Sequence, residues 1–500
     1  MNAKRQSGSL VGGYVWTFGS TALPLLGAFV VSLIVARTMG PRVTGLVNWV
    51  MAVSTIFLII AKFGVEGAGS RLVSEYEVNA PGLIAPLVRA SLLVRLVFTV
   101  PTAAVMLALA PAMARFFKEP ALLPLLRIGA VIVLTVSVNE LAALLVLGLR
   151  RFRALFSMRL VTIVVRVGLT AAAALFAWGG AGVLWAYVAA TALTAAGVYL
   201  IALPWRGGAP APETAVMRRR LWRLSVVLAV SGASVTIYSM LDKVMIGYFS
   251  GATEVGIYAM GRNLQETSLF PMFALVMTLR PALAGAWASG ELERCSELVN
   301  RSLEASIWFA AVVVTVFACL AGPIVTGLFS EAFAPSAAIL LLFLPVIAIR
   351  SIGTVILPGL IAADRAGIYA WLTFAGAALN FVLNVVMIPK WGGRGAVVST
   401  FISYLPIQVF GMRTLAAQIP RIWRAGDTGR AIRTVLVSAA VWFAWTRLVP
   451  VPSKLVWTIV QSVLITALLT FLLVVVRAVH PDRVREIMRL RGRREGGEAG

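Results

Sequence analysis

Fourteen apolar stretches, each about the length of a bilayer crossing, occupy nearly the whole chain. They run approximately over 12–36, 45–64, 87–110, 121–148, 155–177, 182–203, 222–247, 254–280, 303–321, 333–358, 367–388, 396–415, 431–448 and 455–476. A helix needs about 20 mostly apolar residues to cross the hydrocarbon core. Of the 500 residues, 60% are hydrophobic and 13% charged. No room is left for a sizeable soluble domain. Barrel strands would alternate apolar and polar over about 10 residues, and these runs are continuous. The expected fold is therefore an all-α polytopic membrane protein of about fourteen helices. The first stretch follows Lys4 and Arg5 but exceeds an ordinary signal core, and "VARTMG" is a poor cleavage site, so it reads as a retained span.

The formal charge of +24 would suit nucleic acid, but its distribution points elsewhere. With both termini placed in the cytoplasm, most Lys and Arg fall on the inner side, as the positive-inside rule requires. The inner clusters are Arg150, Arg151 and Arg153; Arg206 with Arg218 to Arg223; Arg413 to Arg433; and the tail "PDRVREIMRLRGRREGGEAG". They fix orientation and attract anionic lipid heads. No nucleic-acid partner is expected. Cys295 and Cys319 indicate neither a disulfide framework nor a metal site. The single His, His480, rules out His-based metal sites and Ser/His triads. No GxxxxGK[ST] loop occurs, which excludes that route to ATP hydrolysis. No metal, cofactor or catalytic residue is expected, and transport would be secondary or driven by the substrate's own gradient.

A repeat runs through the chain. In "RTMGPRVTGLVNW" and "YFSGATEVGIYAM", Gly40 and Gly45 align with Gly251 and Gly256 at an offset of 211. Gly148 and Gly359 share that offset. Trp178 of "WGGAG" and Trp391 of "WGGRG" follow at 213, each between the fifth and sixth stretch of its half. Six crossings per half place both halves the same way up, a parallel repeat of the kind that builds transporters rocking about a midplane site. The expected layout is an N-terminal six-helix lobe (1–205), a basic cytoplasmic linker (206–221), a C-terminal six-helix lobe (222–417), helices 13 and 14 (418–476) and a basic tail (477–500).

Two segments carry a resemblance. "SGSLVGGYVWTFGSTALPLLGAFVVSLIVARTMGPRVTGLVNWVMAVSTI", with Arg37, Gly40 and Gly45, resembles the opening of polysaccharide flippases. "LDKVMIGYFSGATEVGIYAMGRNLQ", with Asp242, Gly256 and Tyr258, is similar to their seventh and eighth helices. That family is the polysaccharide transporter (O-antigen-type flippase) branch of the multidrug/oligosaccharidyl-lipid/polysaccharide exporter superfamily. The resemblance implies two six-helix lobes around a central cavity, fourteen helices, and movement of a polyprenyl-diphosphate-linked glycan across the bilayer.

Charges inside spans are costly, so each is a functional candidate. They are Lys62, Arg89, Arg95, Arg127, Glu140, Arg159, Arg166, Asp242, Lys243, Arg262, Glu266, Arg280 and Arg350. Cations outnumber carboxylates, so internal pairing cannot be complete. Lys62, Arg89, Arg159 and Arg280 lie near inner ends and can snorkel. Arg95, Arg166 and Arg262 lie deeper. Arg159 and Arg166 share a helix face, and Arg262 and Glu266 have i,i+4 spacing. Asp242 and Lys243 point about 100° apart and need partners on other helices. Glu140 and Arg350 occupy nearly equivalent places in the repeat, which admits a pair across the lobes or separate pairs within each. The substrate-binding candidates are Lys62, Arg95, Glu140, Arg166, Asp242, Lys243, Arg262, Glu266, Arg350, Asn380 and Asn384. Trp16, Tyr14, Tyr238, Tyr258, Asn263 and Gln265 are sugar-facing candidates, with helix packing as the alternative role.

The expected protein is a flippase in the cell's cytoplasmic membrane, carrying a lipid-linked oligosaccharide outward by alternating access for cell-surface polysaccharide synthesis. Its partners would be the lipid-linked glycan, membrane lipids, and polymerase and glycosyltransferase enzymes. Coupling to membrane potential, H⁺ or Na⁺ is open. The alternatives are a peptidoglycan-precursor flippase and a cation-coupled multidrug exporter; the latter calls for an acidic cavity, against the cation excess. A glycosyltransferase would call for a large outer loop, and the longest, near 322–333, is short.

Overall fold

Left-handed glycines divide the longest helices of the chain. A computed structural model describes the backbone of residues 3–202, 210–422, 425–452 and 454–476, with side chains except those of 3–18, 21, 22, 201, 202, 211, 227–239, 425 and 426. The helices are α1 (Ala3–Lys62), α2 (Val65–Asn79), α3 (Ile84–Phe116), α4 (Leu122–Gly148), α5 (Phe152–Leu175), α6 (Gly179–Gly197), α7 (Ala211–Ser268), α8 (Phe270–Ala288), α9 (Leu292–Leu328), α10 (Pro335–Leu342), α11 (Leu344–Gly353), α12 (Ile356–Ala362), α13 (Ala366–Gln418), α14 (Ala425–Leu448) and α15 (Leu455–Val475). No strand occurs among the described residues. Tyr14, Trp16 and Tyr238, the start of the linker with Arg206, and the tail with His480 lie outside the described side chains or residues.

Among the described residues, eleven helical stretches are long and apolar enough to cross a membrane. Three of these are broken inside α1, α7 and α13 by Gly40 (φ 73°, ψ 179°), Gly251 (φ 84°, ψ 174°) and Gly392 (φ 55°, ψ −135°). Counting each broken stretch as two gives the fourteen crossings read from the sequence. Their outer faces carry exposed Leu93, Val97, Val100, Phe374, Val463 and Phe471. Such apolar surface would be a liability in water and is ordinary in lipid. The chain is an all-α polytopic membrane protein.

The backbone repeats as the glycine spacing requires. Gly40 and Gly251 share a conformation essentially closed to residues with a Cβ. Gly179 and Gly392, each following its Trp, share a positive φ of 59° and 55°. Trp178 and Trp391 are both half-exposed, at 57% and 54%, as suits an interfacial indole.

Prolines account for the breaks the apolar pattern hid. The stretch expected at 254–280 turns at Leu269, with Pro271 in the first turn of α8. The stretch expected at 333–358 is three short helices, α10 to α12, with Pro335 and Pro345 opening the first two and Pro358 inside the third. Residues 65–79, between the second and third apolar stretches, are helical as well. They form α2, whose Val65, Ala68, Leu72, Val73 and Tyr76 are buried at helical spacing.

The chain divides into two compact units, described separately. Unit 1 is Met1–Met260 with Asn380–Ala396, and unit 2 is Gly261–Leu379 with Val397–Gly500. Unit 1 packs Leu72, Leu87, Leu141, Leu145, Met217 and Leu221 into a core drawn from α2, α3, α4 and α7. In it α1 and α7 cross at glycines: a Cβ on Gly45 would meet the carbonyl oxygen of Ala252, and one on Gly256 that of Pro41. Unit 2 has a core of Leu279, Leu283, Val299, Leu303, Ile356 and Leu415, and a second of Leu320, Val441, Ile465, Leu469 and Leu473 where α14 and α15 pack on α9.

Gly40→Ala and Gly251→Ala are each expected to lower stability by about 1–3 kcal/mol, the cost of a glycine-only conformation. Gly168→Ala, whose added Cβ meets nothing within 4 Å, is expected to lose nothing. The thermal midpoint in detergent, followed by tryptophan fluorescence, checks this; a Gly251→Ala midpoint equal to that of the unmodified chain would sink it.

Candidate functional site

In unit 1, the end of α1 organises the first cluster. Phe63 (φ 42°) and Gly64 (φ 65°) reverse the chain into α2, which puts Glu66 in the first turn of that helix. A carboxylate suits that position against the helix dipole. Lys62 Nζ lies 2.5 Å from Glu140 Oε2 on α4 and 3.6 Å from Glu66 Oε1. Glu66 Oε1 is 3.3 Å from Arg95 Nη2 on α3. Arg95 is fully buried. Two cations and two carboxylates thus tie four helices together, with Arg95 buried and Lys62 and Glu140 each about a third exposed.

Beside Glu140 is a cavity of about 70 Å³ between α1, α4, α5 and α6. Arg159, Arg166, Asn139 and Tyr187 line it. The Arg166 guanidinium sits 4.1 Å over the Tyr187 ring, a cation–π contact strengthened by desolvation.

The third cluster of unit 1 is built on α7 and α13. Asn384 Nδ2 donates to Asp242 Oδ1 at 2.7 Å and to Asn380 Oδ1 at 3.0 Å. The Tyr258 hydroxyl donates to Asp242 Oδ2 at 2.9 Å, across the break at Gly251. Asp242, Tyr258, Asn380 and Asn384 are all buried. Lys243 turns away and donates to Asn48 Oδ1 on α1 at 3.1 Å.

In unit 2, Arg350 Nη1 on α11 lies 2.7 Å from Glu266 Oε1 on α7, with its guanidinium 5.7 Å from the Tyr404 ring centroid. Arg262 stands one helical turn before Glu266. Unit 2 also holds a groove of about 1340 Å³ walled by α8, α9 and α15. Its length is lined by Leu275, Trp308, Phe309, Phe317, Phe471 and Val474, and one end by Arg301 and Glu304. From Arg301 to Phe317 the groove follows α9 for about 24 Å at 1.5 Å per residue.

The structure thus brings together Lys62, Glu140 and Arg95; Asp242, Asn380 and Asn384; and Glu266 with Arg350. Of the two arrangements the repeat admits, the structure shows a pair inside each unit, Glu140 with Lys62 and Arg350 with Glu266. Lys62 is an ion-pair partner rather than a snorkelling lysine. Glu66 was missed although the i,i+4 spacing from Lys62 announces it. Tyr187, Tyr404 and the groove left no signal, since an apolar run looks alike whether it faces lipid, core or cavity. Among the described residues no cluster of His, Cys, Asp and Glu suits a metal ion, and both cysteines are free.

An all-α bundle with charge buried inside its membrane helices is the architecture of a membrane transporter, and known proteins of this kind share it. Residues 10–287 match the family described as polysaccharide biosynthesis protein, and the chain belongs to that family. It is 23% identical over 235 residues to the probable low-salt glycan biosynthesis flippase Agl15 of Haloferax volcanii, covering 47% of this chain and 50% of that one, so it spans about half the length of that relative. Its fold is that of the lipid II flippase MurJ in an inward closed conformation, at a TM-score of 0.71 and 12% identity, over 96% of this chain and 100% of that one. An inward-facing multidrug resistance MATE family transporter aligns at 0.66 and 14% identity, over 79% and 94%.

Removing Glu66 strands a buried charge. Glu66→Ala is expected to destabilise the protein by about 3–5 kcal/mol, because Arg95 stays buried without its carboxylate. The double variant Glu66→Leu with Arg95→Met should recover most of the loss. Thermal midpoints of the two purified proteins decide; a double variant no better than the single would refute the account.

Proposed function

We propose that the chain flips a polyprenyl-diphosphate-linked oligosaccharide from the inner to the outer leaflet of the cytoplasmic membrane by alternating access, for cell-surface polysaccharide assembly. Both termini are cytoplasmic in this reading. The observation that carries it is the unit 2 groove. Beyond Arg301 and Glu304 at one end, its α9 wall is apolar from Ala305 to Phe317, about 18 Å, more than half of the roughly 30 Å hydrocarbon core. A long lipid tail fits such a shape, and a compact drug has no use for it. Helix α15 forms one wall of the groove, which gives a purpose to the two helices beyond the twelve of the repeat. The family and the glycan flippase among the relatives support the same substrate class.

The head group is the other half of the problem. A diphosphate cannot enter hydrocarbon without replacing its hydration. Arginine does this well, since its planar fork holds phosphate oxygens with two parallel bonds. Arg262 and Arg350 of unit 2 are the cations we assign to that task. The membrane potential, negative inside, then drives an anionic head outward at about 2.3 kcal/mol per charge per 100 mV.

Deleting the gene is expected to leave the complete polyprenyl-diphosphate-linked glycan on the inner leaflet, read by mass spectrometry with a sidedness assay. Phe317→Arg and Phe471→Arg, which put a charge in the groove at about 2–3 kcal/mol, should cut flipping by at least about tenfold. Collapsing the potential at constant pH and Na⁺ gradients should slow it. Accumulated peptidoglycan precursor would assign the other lipid substrate. Raised sensitivity to cationic drugs without any lipid accumulation would overturn the proposal.

A further inference from the structure

We infer that unit 1 holds a site for one small inorganic anion, in the cavity between α1, α4, α5 and α6. Its basis is an imbalance of charge. Arg159 and Arg166 both line the cavity, two helical turns apart on α5. Among the described residues neither has a carboxylate within ion-pair distance. The Arg166 Nε is buried and has no hydrogen-bond acceptor. A charge-bearing donor without an acceptor in a membrane bundle is costly, so something should fill the position.

The surroundings select a negative occupant. From α1 the lining is Pro24, Gly27 and Ala28, which carry no charge. From α4 come Asn139 and Glu140, and from α6 the uncharged Tyr187. Glu140 is already held by Lys62 at 2.5 Å. The two arginines that line the cavity therefore face one carboxylate that is already paired. Asn139 also lines the cavity, is 4% exposed, and has an amide Oδ1 without a donor. Tyr187 covers one face of the Arg166 guanidinium at 4.1 Å and leaves its edge for an acceptor.

The volume sets the size of the guest. About 70 Å³ exceeds what one water needs and admits an ion between chloride and a single phosphate group. It is far too small for a glycosyl diphosphate. The anion serves as a resting counter-ion for α5. The site does not depend on the substrate proposed above, and binding can be read without transport.

The test uses the full-length protein in nanodiscs of neutral lipid. Chloride, bromide or inorganic phosphate replaces gluconate at constant ionic strength, because gluconate exceeds the cavity. A saturable rise in thermal midpoint is expected with at least one of these ions. Arg166→Gln should abolish it, Arg166→Lys should keep it at reduced affinity, and Arg447→Gln, on an exposed helix end, should leave it unchanged. Crystals of the unmodified protein grown in bromide should show an anomalous peak beside Arg166, which tests the site even where the Gln variant fails to fold. Competition by farnesyl monophosphate would name a lipid phosphate as the source of the anion, and no competition a free ion. No saturable response to any of the three ions, or an equal response in Arg166→Gln, would overturn the inference.

Discussion

The close crossing of α1 and α7 at Gly45 and Gly256 is the contact on which the rest of unit 1 depends. In lipid no hydrophobic effect drives helices together, so association rests on close packing and interhelical hydrogen bonds. Small residues allow the backbones to touch. The contact is reciprocal under the repeat. Gly45 faces Ala252, and Gly256 faces Pro41, each pair being the other displaced by 211 residues. A twofold axis through the crossing requires this exchange. The breaks at Gly40 and Gly251 immediately precede the two touching carbonyl residues. The kinks and the crossing are therefore one construction, and the Asp242 cluster and the Lys243–Asn48 bond are built beside it.

Charge is handled differently from place to place. Glu66, Arg95, Lys62 and Glu140 neutralise one another, and such a set specifies which helices meet more than it adds stability. Arg350 and Glu266 do the same in unit 2. Asp242 is held by hydroxyl and amide donors from Tyr258 and Asn384. Among the described residues Arg166 lies over the Tyr187 ring, and both Arg159 and Arg166 line the cavity. The bundle thus grades from fully balanced charge to charge that waits for a partner.

Helix number and the repeated glycines were legible in the sequence, for physical reasons. A bilayer leaves few alternatives to a long apolar helix, and a glycine-only backbone leaves glycine behind. Partner choice was not legible. Glu140 sits almost opposite Arg350 in the repeat, yet it pairs with Lys62 because α1 ends beside α4, a fact of packing angle rather than of spacing. The proline breaks at 269 and 343 were hidden because apolar content is the same on both sides of each. The groove was hidden because the only polar groups α15 turns to it are the small hydroxyls of Ser462, Thr466 and Thr470, which are ordinary in membrane helices.

The repeat copied the scaffold but not the chemistry. Gly40, Gly45 and Gly179 keep their counterparts Gly251, Gly256 and Gly392, with matching backbone angles where these are positive. At the 211-residue offset, Glu66 corresponds to Met277, Arg95 to Ser306, Arg166 to Ala377, and Asp242 to Val31. Every buried charge that organises a cluster thus faces an uncharged residue in the other half. A duplicated bundle needs both copies of its turns and crossings, since each half must pack in the same way. It needs no second copy of a binding group. A symmetric distribution of charge would suit a ligand that looks the same from both halves. An amphiphile with an anionic head and an apolar tail does not, and divergence of the charged positions on a conserved backbone frame is the arrangement such a ligand requires.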